Sequence, residues 1–276
     1  MIYKRKWYYN LVIIVLFVIA LVWTLTPVYI IISNSFRRTL DMKIMPPQLI
    51  FQPIFTHFEK LITLDSFGKY FKNSFIITLS VTALTIFLGT LAAYGMKLFK
   101  SKIGQHISNV LLLGKMVPAI TILLPLFMMM NHMKLTGTFI APILAHSCMS
   151  LPFVTWLMAS FVRDIPVELL ESASVMGCGR MKAFFMIIAP LLKPAIASAS
   201  ILVMQNSWNE LLFSLQLTNL KTYPLTVGVA RYVGAISVDW GKCSAAATIT
   251  MVPIIIAGFF MQKYLVSGMT AGAVKG

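Results

Sequence analysis

Six long apolar runs alternate with short polar segments along the chain, approximately Leu11–Ile32, Ser74–Met96, Ile107–Met130, Thr138–Phe161, Pro194–Thr218 and Ser244–Gln262. A helix needs about 20 apolar residues to cross the hydrocarbon of a bilayer, so each run predicts one membrane-spanning helix. Two polar stretches between the runs are long, about Ser33–Lys72 and Asn219–Cys243, and in the first of them Phe55, Phe58, Leu61 and Ile62 mark a short amphipathic helix. No repeat of about 20–50 residues and no low-complexity linker interrupts the pattern. The expectation is an all-α polytopic membrane protein in which residues 1–276 form one domain.

An even number of spans puts both termini on one side. Lys4-Arg5-Lys6, Lys97, Lys100, Lys102, Arg163, Arg180, Lys182, Lys193, Lys263 and Lys275 all fall on that side, mostly near helix ends, which makes it the cytoplasmic one. The bias is modest, because Arg37, Arg38, Lys43, Lys60, Lys69 and Lys72 occupy the first outer segment and Lys221, Arg231 and Lys242 the last.

Composition agrees with a bilayer setting. Hydrophobic residues make up 58% of the chain and charged ones only 11%, less than half the share that a soluble surface of this size requires. The net charge of +15 comes from short clusters beside apolar runs, with no aromatic-interleaved face, so it reads as topology and lipid attraction and not as nucleic-acid binding. The first apolar run is too long for a signal-peptide core and lacks a small-residue cleavage site, so it is expected to stay as an anchor. Cys148, Cys178 and Cys243 are too scattered for a disulfide framework or a zinc motif.

The segment from Arg163 to Pro190 breaks the membrane pattern. Pro166 suits a first helical turn, with Asp164 to cap it and Glu168 near the positive helix end. Gly177 suits the left-handed residue that ends such a helix, and a second amphipathic piece starts at Met181 and precedes Pro190. Two readings of this helix–turn–helix are open on physical grounds: a loop resting on lipid, or a knob that docks a soluble partner. Acidic residues beside the small Ser172 and Ala173 suit the second, since anionic lipid repels the former and a protein partner can approach the latter closely.

The order Glu171-Ser172-Ala173, three residues, Gly177, nine residues, Ile187, one residue, Ala189-Pro190 resembles the EAA loop of ABC importer permeases, with Ser172 and Ala189 as mild departures. The resemblance extends to Asn73-Ser74, Ala93-Tyr94, Met116-Val117-Pro118, Trp208-Asn209-Glu210 and the tail Gly268–Gly276, which is similar to that of MalG-like subunits of carbohydrate importers. It implies a type I importer permease in the cell membrane of a prokaryote. Such a subunit pairs with a second, homologous permease, is driven by two ATP-binding subunits and receives sugar from an extracytoplasmic binding protein. Residues 162–190 would then be the coupling loop, with Glu168, Glu171, Ser172, Ala173, Gly177 and Pro190 facing the ATPase, and residues 268–276 an extended cytoplasmic tail touching it through Gly272 and Lys275. ATP and magnesium would sit on the partners, with no cofactor on this chain and no enzymatic activity of its own; consistently, no G-x-x-x-x-G-K-[ST] run is present.

Glu210 is the only acid inside an apolar run, and with Trp208 and Asn209 it is a candidate for lining the solute pathway; the alternative is packing and pairing. Lys115, about two turns inside the third run, either snorkels, faces a polar pathway or pairs with the second permease. Pro118 and Pro125 are expected to kink that helix. Met128-Met129-Met130 with His132 reads as packing or lipid contact and not as a metal site, and Ala195, Ala197, Ser198, Ala199 and Ser200 with Ala245, Ala246 and Ala247 as close helix contacts. The solute is expected to be a neutral oligosaccharide, with an acidic oligosaccharide or a polyol phosphate as the alternative. A secondary transporter is the rival class, but it would call for an internal repeat and broken helices with coupling-ion sites.

Overall fold

The computed structural model describes residues 7–44, 50–98, 102–234 and 237–271, and among them it is helical throughout apart from one isolated bridge, Val233 to Val238. In chain order the helices are α1 (Trp7–Ser35), α2 (Thr56–Thr63), α3 (Phe67–Leu98), α4 (Lys102–Leu113), α5 (Ala119–His132), α6 (Ile140–Arg163), α7 (Val167–Val175), α8 (Arg180–Ala183), α9 (Ala189–Leu191), α10 (Lys193–Trp208), α11 (Leu212–Leu217), α12 (Leu225–Ala230) and α13 (Trp240–Ala271). Four of them, α1, α3, α6 and α13, are long and apolar enough to cross a bilayer unbroken.

The third run is not a straight span, and a second bend falls just before the fifth run begins. Between Asn109–Met116 and Ala119–His132 the chain turns by 96°, and between Arg180–Leu191 and Lys193–Trp208 by 79°; counting each bent pair as one span gives six. The first bend has a local cause. Pro118 disfavours helical geometry at the residue before it, and Val117 accordingly adopts ψ 123°. Pro125, by contrast, is accommodated inside α5. The fifth run ends as a helix at Trp208, where the Asn209 side chain donates to the Gln205 carbonyl at 2.9 Å, and the chain resumes as the separate α11. The bend at Pro118 is the kink its proline announced, whereas nothing in the apolar letters announces the break at Asn209, because composition records burial in lipid and not helix continuity.

The residues fall into two compact units, one of residues up to Phe67 with Val229–Val252, the other of Gly68–Gly228 with residues from Pro253 onward. In the first, Phe36 packs against Phe55 and Phe58 at centroid distances of 5.4 and 5.1 Å, as the amphipathic pattern of α2 requires. His57 Nε2 lies 2.8 Å from the Arg37 carbonyl, and Asp65 takes Lys242 at 2.9 Å and the Tyr232 hydroxyl at 3.2 Å.

The second unit holds the principal core, in which Ile77, Val81, Val154, Met158, Ile188, Ala199 and Val203 are almost wholly buried. Without a hydrophobic force between helices in lipid, close backbone approach has to supply the packing energy. Ala195 and Ala199 are buried on α10 as the small-residue pattern anticipates, and Gly89 of α3 lies so near α6 that a Cβ there would stand 2.7 Å from Val154 Cγ1. Gly89→Val is therefore expected to force α3 and α6 apart at a cost of about 1–3 kcal/mol, read as a lower midpoint in thermal unfolding of the purified protein. An unchanged midpoint would mean that Val154 yields freely.

Candidate functional site

Two constellations stand out, both in the second unit. The first is the segment after α6. Pro166 precedes α7 as its N-cap, one position earlier than the sequence suggests, and Asp164 closes α6. The far end of α7 follows the expectation: Gly177 has φ +74°, the Cys178 N–H donates to the Ala173 carbonyl at 2.9 Å and the Gly177 N–H to the Ser174 carbonyl at 3.0 Å. These paired bonds are the Schellman closure that a left-handed glycine permits. The second piece does not stop at Pro190. A π-helical turn over Phe184–Ile188 absorbs the proline's missing donor, and the helix continues to Leu191.

This turn has an exposed apolar tip. Val175 is 89% exposed and Met176 80%, while Ala173 is buried and Glu168, Glu171 and Ser172 lie on the surface. The base of the turn is anchored to the end of α3. Lys97 Nζ donates to the carbonyls of Val162, at 2.7 Å, and of Ile165, so the cation meets the negative end of α6 where its last carbonyls lack intrahelical donors. The buried Tyr94 hydroxyl donates to the Arg180 carbonyl at 3.1 Å. Lys97 carries topological charge in the sequence reading; its structural part escaped that reading because nothing in the pattern ties position 97 to carbonyls some 65 residues away.

The second constellation is a cavity of about 400 Å³ walled by the Gly114–Ala119 bend, by α6 and by the α10–α11 junction. Glu210 lies on its wall, and its carboxylate accepts the N–H groups of Phe213 at 2.7 Å and Ser214 at 2.9 Å together with the Ser214 hydroxyl at 2.9 Å. It thereby serves the first turn of α11 as a cap. His146 Nε2 stands 2.8 Å from the same carboxylate and must be the donor, since an ionised carboxylate only accepts. Its Nδ1 is 3.0 Å from Ser207 Oγ. The His146 side chain is almost wholly buried, and the Glu210 side chain 18% exposed.

The proposed pathway residues thus separate. Lys115 and Glu210 share the cavity, whereas the Trp208 ring is buried edge-on against Phe71 and Phe75, at 6.0 and 5.1 Å, and Asn209 is spent on its own helix end. Trp208 packs in this conformation and offers no face to the cavity. His146 is the member that sequence reasoning missed. A titratable side chain inside the fourth apolar run is the signal in the sequence that points to it. Met130 is buried in a small core with Leu126 and Phe213, in keeping with packing of the methionine run. The tail is helical as far as Ala271, not extended from Gly268, and Gly272 and Lys275 lie outside the described residues, as do Lys4-Arg5-Lys6 and Lys100.

Both constellations lie within residues 85–271, which match the model of the family described as "binding-protein-dependent transport system inner membrane component". The chain belongs to this family. It is an integral membrane permease component, and the sequence relatives are named accordingly. The sulfoquinovosyl glycerol transport system permease protein SmoH of Agrobacterium fabrum is 32% identical over 94% of this chain and 91% of its own. The trehalose/maltose transport system permease protein MalG of Thermococcus litoralis is 35% identical over 76% of each chain. In three dimensions the chain resembles a subunit of a bacterial ABC transporter involved in the import of the acidic polysaccharide alginate, with a TM-score of 0.79 over 96% of this chain and 99% of that one at 17% identity, a likeness of fold.

Proposed function

We propose that the chain is the permease subunit of an ATP-driven importer that carries a saccharide delivered by an extracytoplasmic binding protein, and that residues 162–190 transmit the motion of partner ATPases to the spans. The carrying observation is the anchored turn: an apolar tip at Val175 and Met176, shaped by Gly177 and fastened at its base by Tyr94 and Lys97. An exposed apolar knob on rigid supports is suited to a protein pocket, and supports that reach α3 and α6 turn a push on the knob into a tilt of spans. The named relatives carry sugars, which supports a saccharide as solute.

In this reading a second, homologous permease supplies the other wall of the pathway, and two ATP-binding subunits hold ATP and magnesium. Both termini and the turn face the cytoplasm, and the tail meets the ATP-binding subunits through Gly272 and Lys275. Alternating access follows from opposed rocking of the two permeases. The test is a disulfide scan in a variant whose three native cysteines are serine. Cysteine at Met176, paired with single cysteines introduced on the ATP-binding subunit and treated with a mild thiol oxidant, is expected to cross-link in the assembled complex and to resist impermeant thiol reagents applied outside intact cells. Labelling of that cysteine from outside would overturn the orientation and the docking together.

A further inference from the structure

The charges around the cavity are answered unequally. Glu210 is surrounded by donors, from the first turn of α11, from Ser214 and from His146. Lys115 is not matched in this way: among the described residues it forms no ion pair, and its Nζ rests 5.8 Å from the centre of the Phe153 ring. A cation at membrane depth is costly unless an anion reaches it.

A second electropositive feature adjoins it. Lys115 sits in the Gly114–Met116 turn just before the 96° bend, and beyond the bend begins α5, whose first residues Pro118 and Ala119 also line the cavity. Pro118 gives α5 no side-chain cap, so the N–H groups of the first turn, at Ala119 and Ile120, have no side-chain acceptor there. The positive end of a 14-residue helix and a lysine ammonium thus border one space. Its volume of about 400 Å³ falls in the range of small-molecule sites, ~300–1,000 Å³. Ser150 and Asn206 add neutral polar groups, and Met149 and Phe213 an apolar surface, to the same wall.

We propose that this cavity is a transit subsite for an anionic saccharide, in which Lys115 and the first turn of α5 receive the acidic group. The proposal rests on the saccharide-import reading and narrows its solute from sugars in general to sugars bearing a negative charge. The Glu210 carboxylate is engaged by His146 and by the first turn of α11, and among the described residues it forms no ion pair with Lys115.

A native probe lies on the wall, since Cys148 is exposed and lines the cavity. In the complete transporter with Cys178 and Cys243 changed to serine, alkylation of Cys148 is followed while an oligouronate, or the same oligosaccharide with its carboxyl groups reduced to alcohols, is titrated in. The oligouronate is expected to protect at a concentration roughly tenfold or more below that of the reduced form, a ratio equal to about 1.4 kcal/mol. Lys115→Gln should erase the preference and Lys115→Arg restore it. Equal protection by both sugars in the unaltered chain, or a preference that survives Lys115→Gln, would overturn the proposal. So would loss of the second permease from purified Lys115→Gln transporter regardless of sugar, which would assign Lys115 to subunit pairing. ATP-driven uptake of the reduced sugar without any protection of Cys148 leaves saccharide import standing and removes the subsite; uptake of neither sugar with any binding protein removes both.

Discussion

Gly177→Val is expected to insert into the membrane normally and to lose most saccharide-stimulated ATP hydrolysis. The residue holds φ +74°, and nothing lies within 4 Å of where its Cβ would stand, so the penalty is conformational and not a clash. A left-handed angle costs a residue with a Cβ about 1–2 kcal/mol, and a β-branched side chain pays more. The backbone can avoid that strain only by opening the bonds from Gly177 and Cys178 to Ser174 and Ala173, which re-aims α8 and the exposed tip. Since about 1.4 kcal/mol changes an equilibrium tenfold, the docked state should lose roughly that much occupancy or more. Gly177→Asn is the control, because asparagine tolerates the left-handed region, and it should couple nearly as well as glycine. Equal stimulation in the glycine, asparagine and valine forms would mean that the shape of the turn does not matter. Glu171→Ala should be milder than Gly177→Val, on the order of 1–3 kcal/mol where it leaves a partner group unpaired at the docked interface.

Glu210→Ala is expected to be the most damaging single change at the cavity. It strips the cap from α11 and leaves His146 Nε2 with only the Ser214 hydroxyl, 3.2 Å away, as a partner. Leaving buried donors without their acceptor costs about 1–3 kcal/mol, and here the α11 N–H groups and His146 lose theirs together. The purified complex should unfold at a distinctly lower temperature. Glu210→Gln retains the shape and one acceptor oxygen and should recover part of the loss. His146→Ala should be intermediate, because the α11 cap survives it. Equal melting temperatures for Glu210→Ala and the unaltered chain would show that the pair contributes nothing to folding.

The legible part of the structure was the part that local chemistry dictates. Long apolar runs located the membrane segments, Gly177 and Pro166 bounded α7, and Phe55 and Phe58 announced the packing of α2 on Phe36. What escaped depends on neighbours distant in sequence or on competition between local preferences. The kink expected at Pro118 is present, but Pro125 does not break α5, the break at Asn209 sits inside a run whose letters look continuous, and the π-helical turn before Pro190 let a helix pass a residue that usually stops one. His146 and Glu210, 64 positions apart by their numbering, meet only because α6 lies beside the α10–α11 junction. Trp208, for which lining the pathway and packing were both open, sets its ring edge-on against Phe71 and Phe75, two residues more than 130 positions away that no local pattern names.

Coupling through residues 162–190 is the central claim, and saccharide-stimulated ATP hydrolysis in proteoliposomes holding this chain, a second permease, two ATP-binding subunits and a binding protein tests it most directly. Stimulation by the loaded binding protein is predicted with the unaltered chain and with Gly177→Asn, and its loss with Gly177→Val despite normal insertion of the chain. Undiminished stimulation with Gly177→Val would contradict the account.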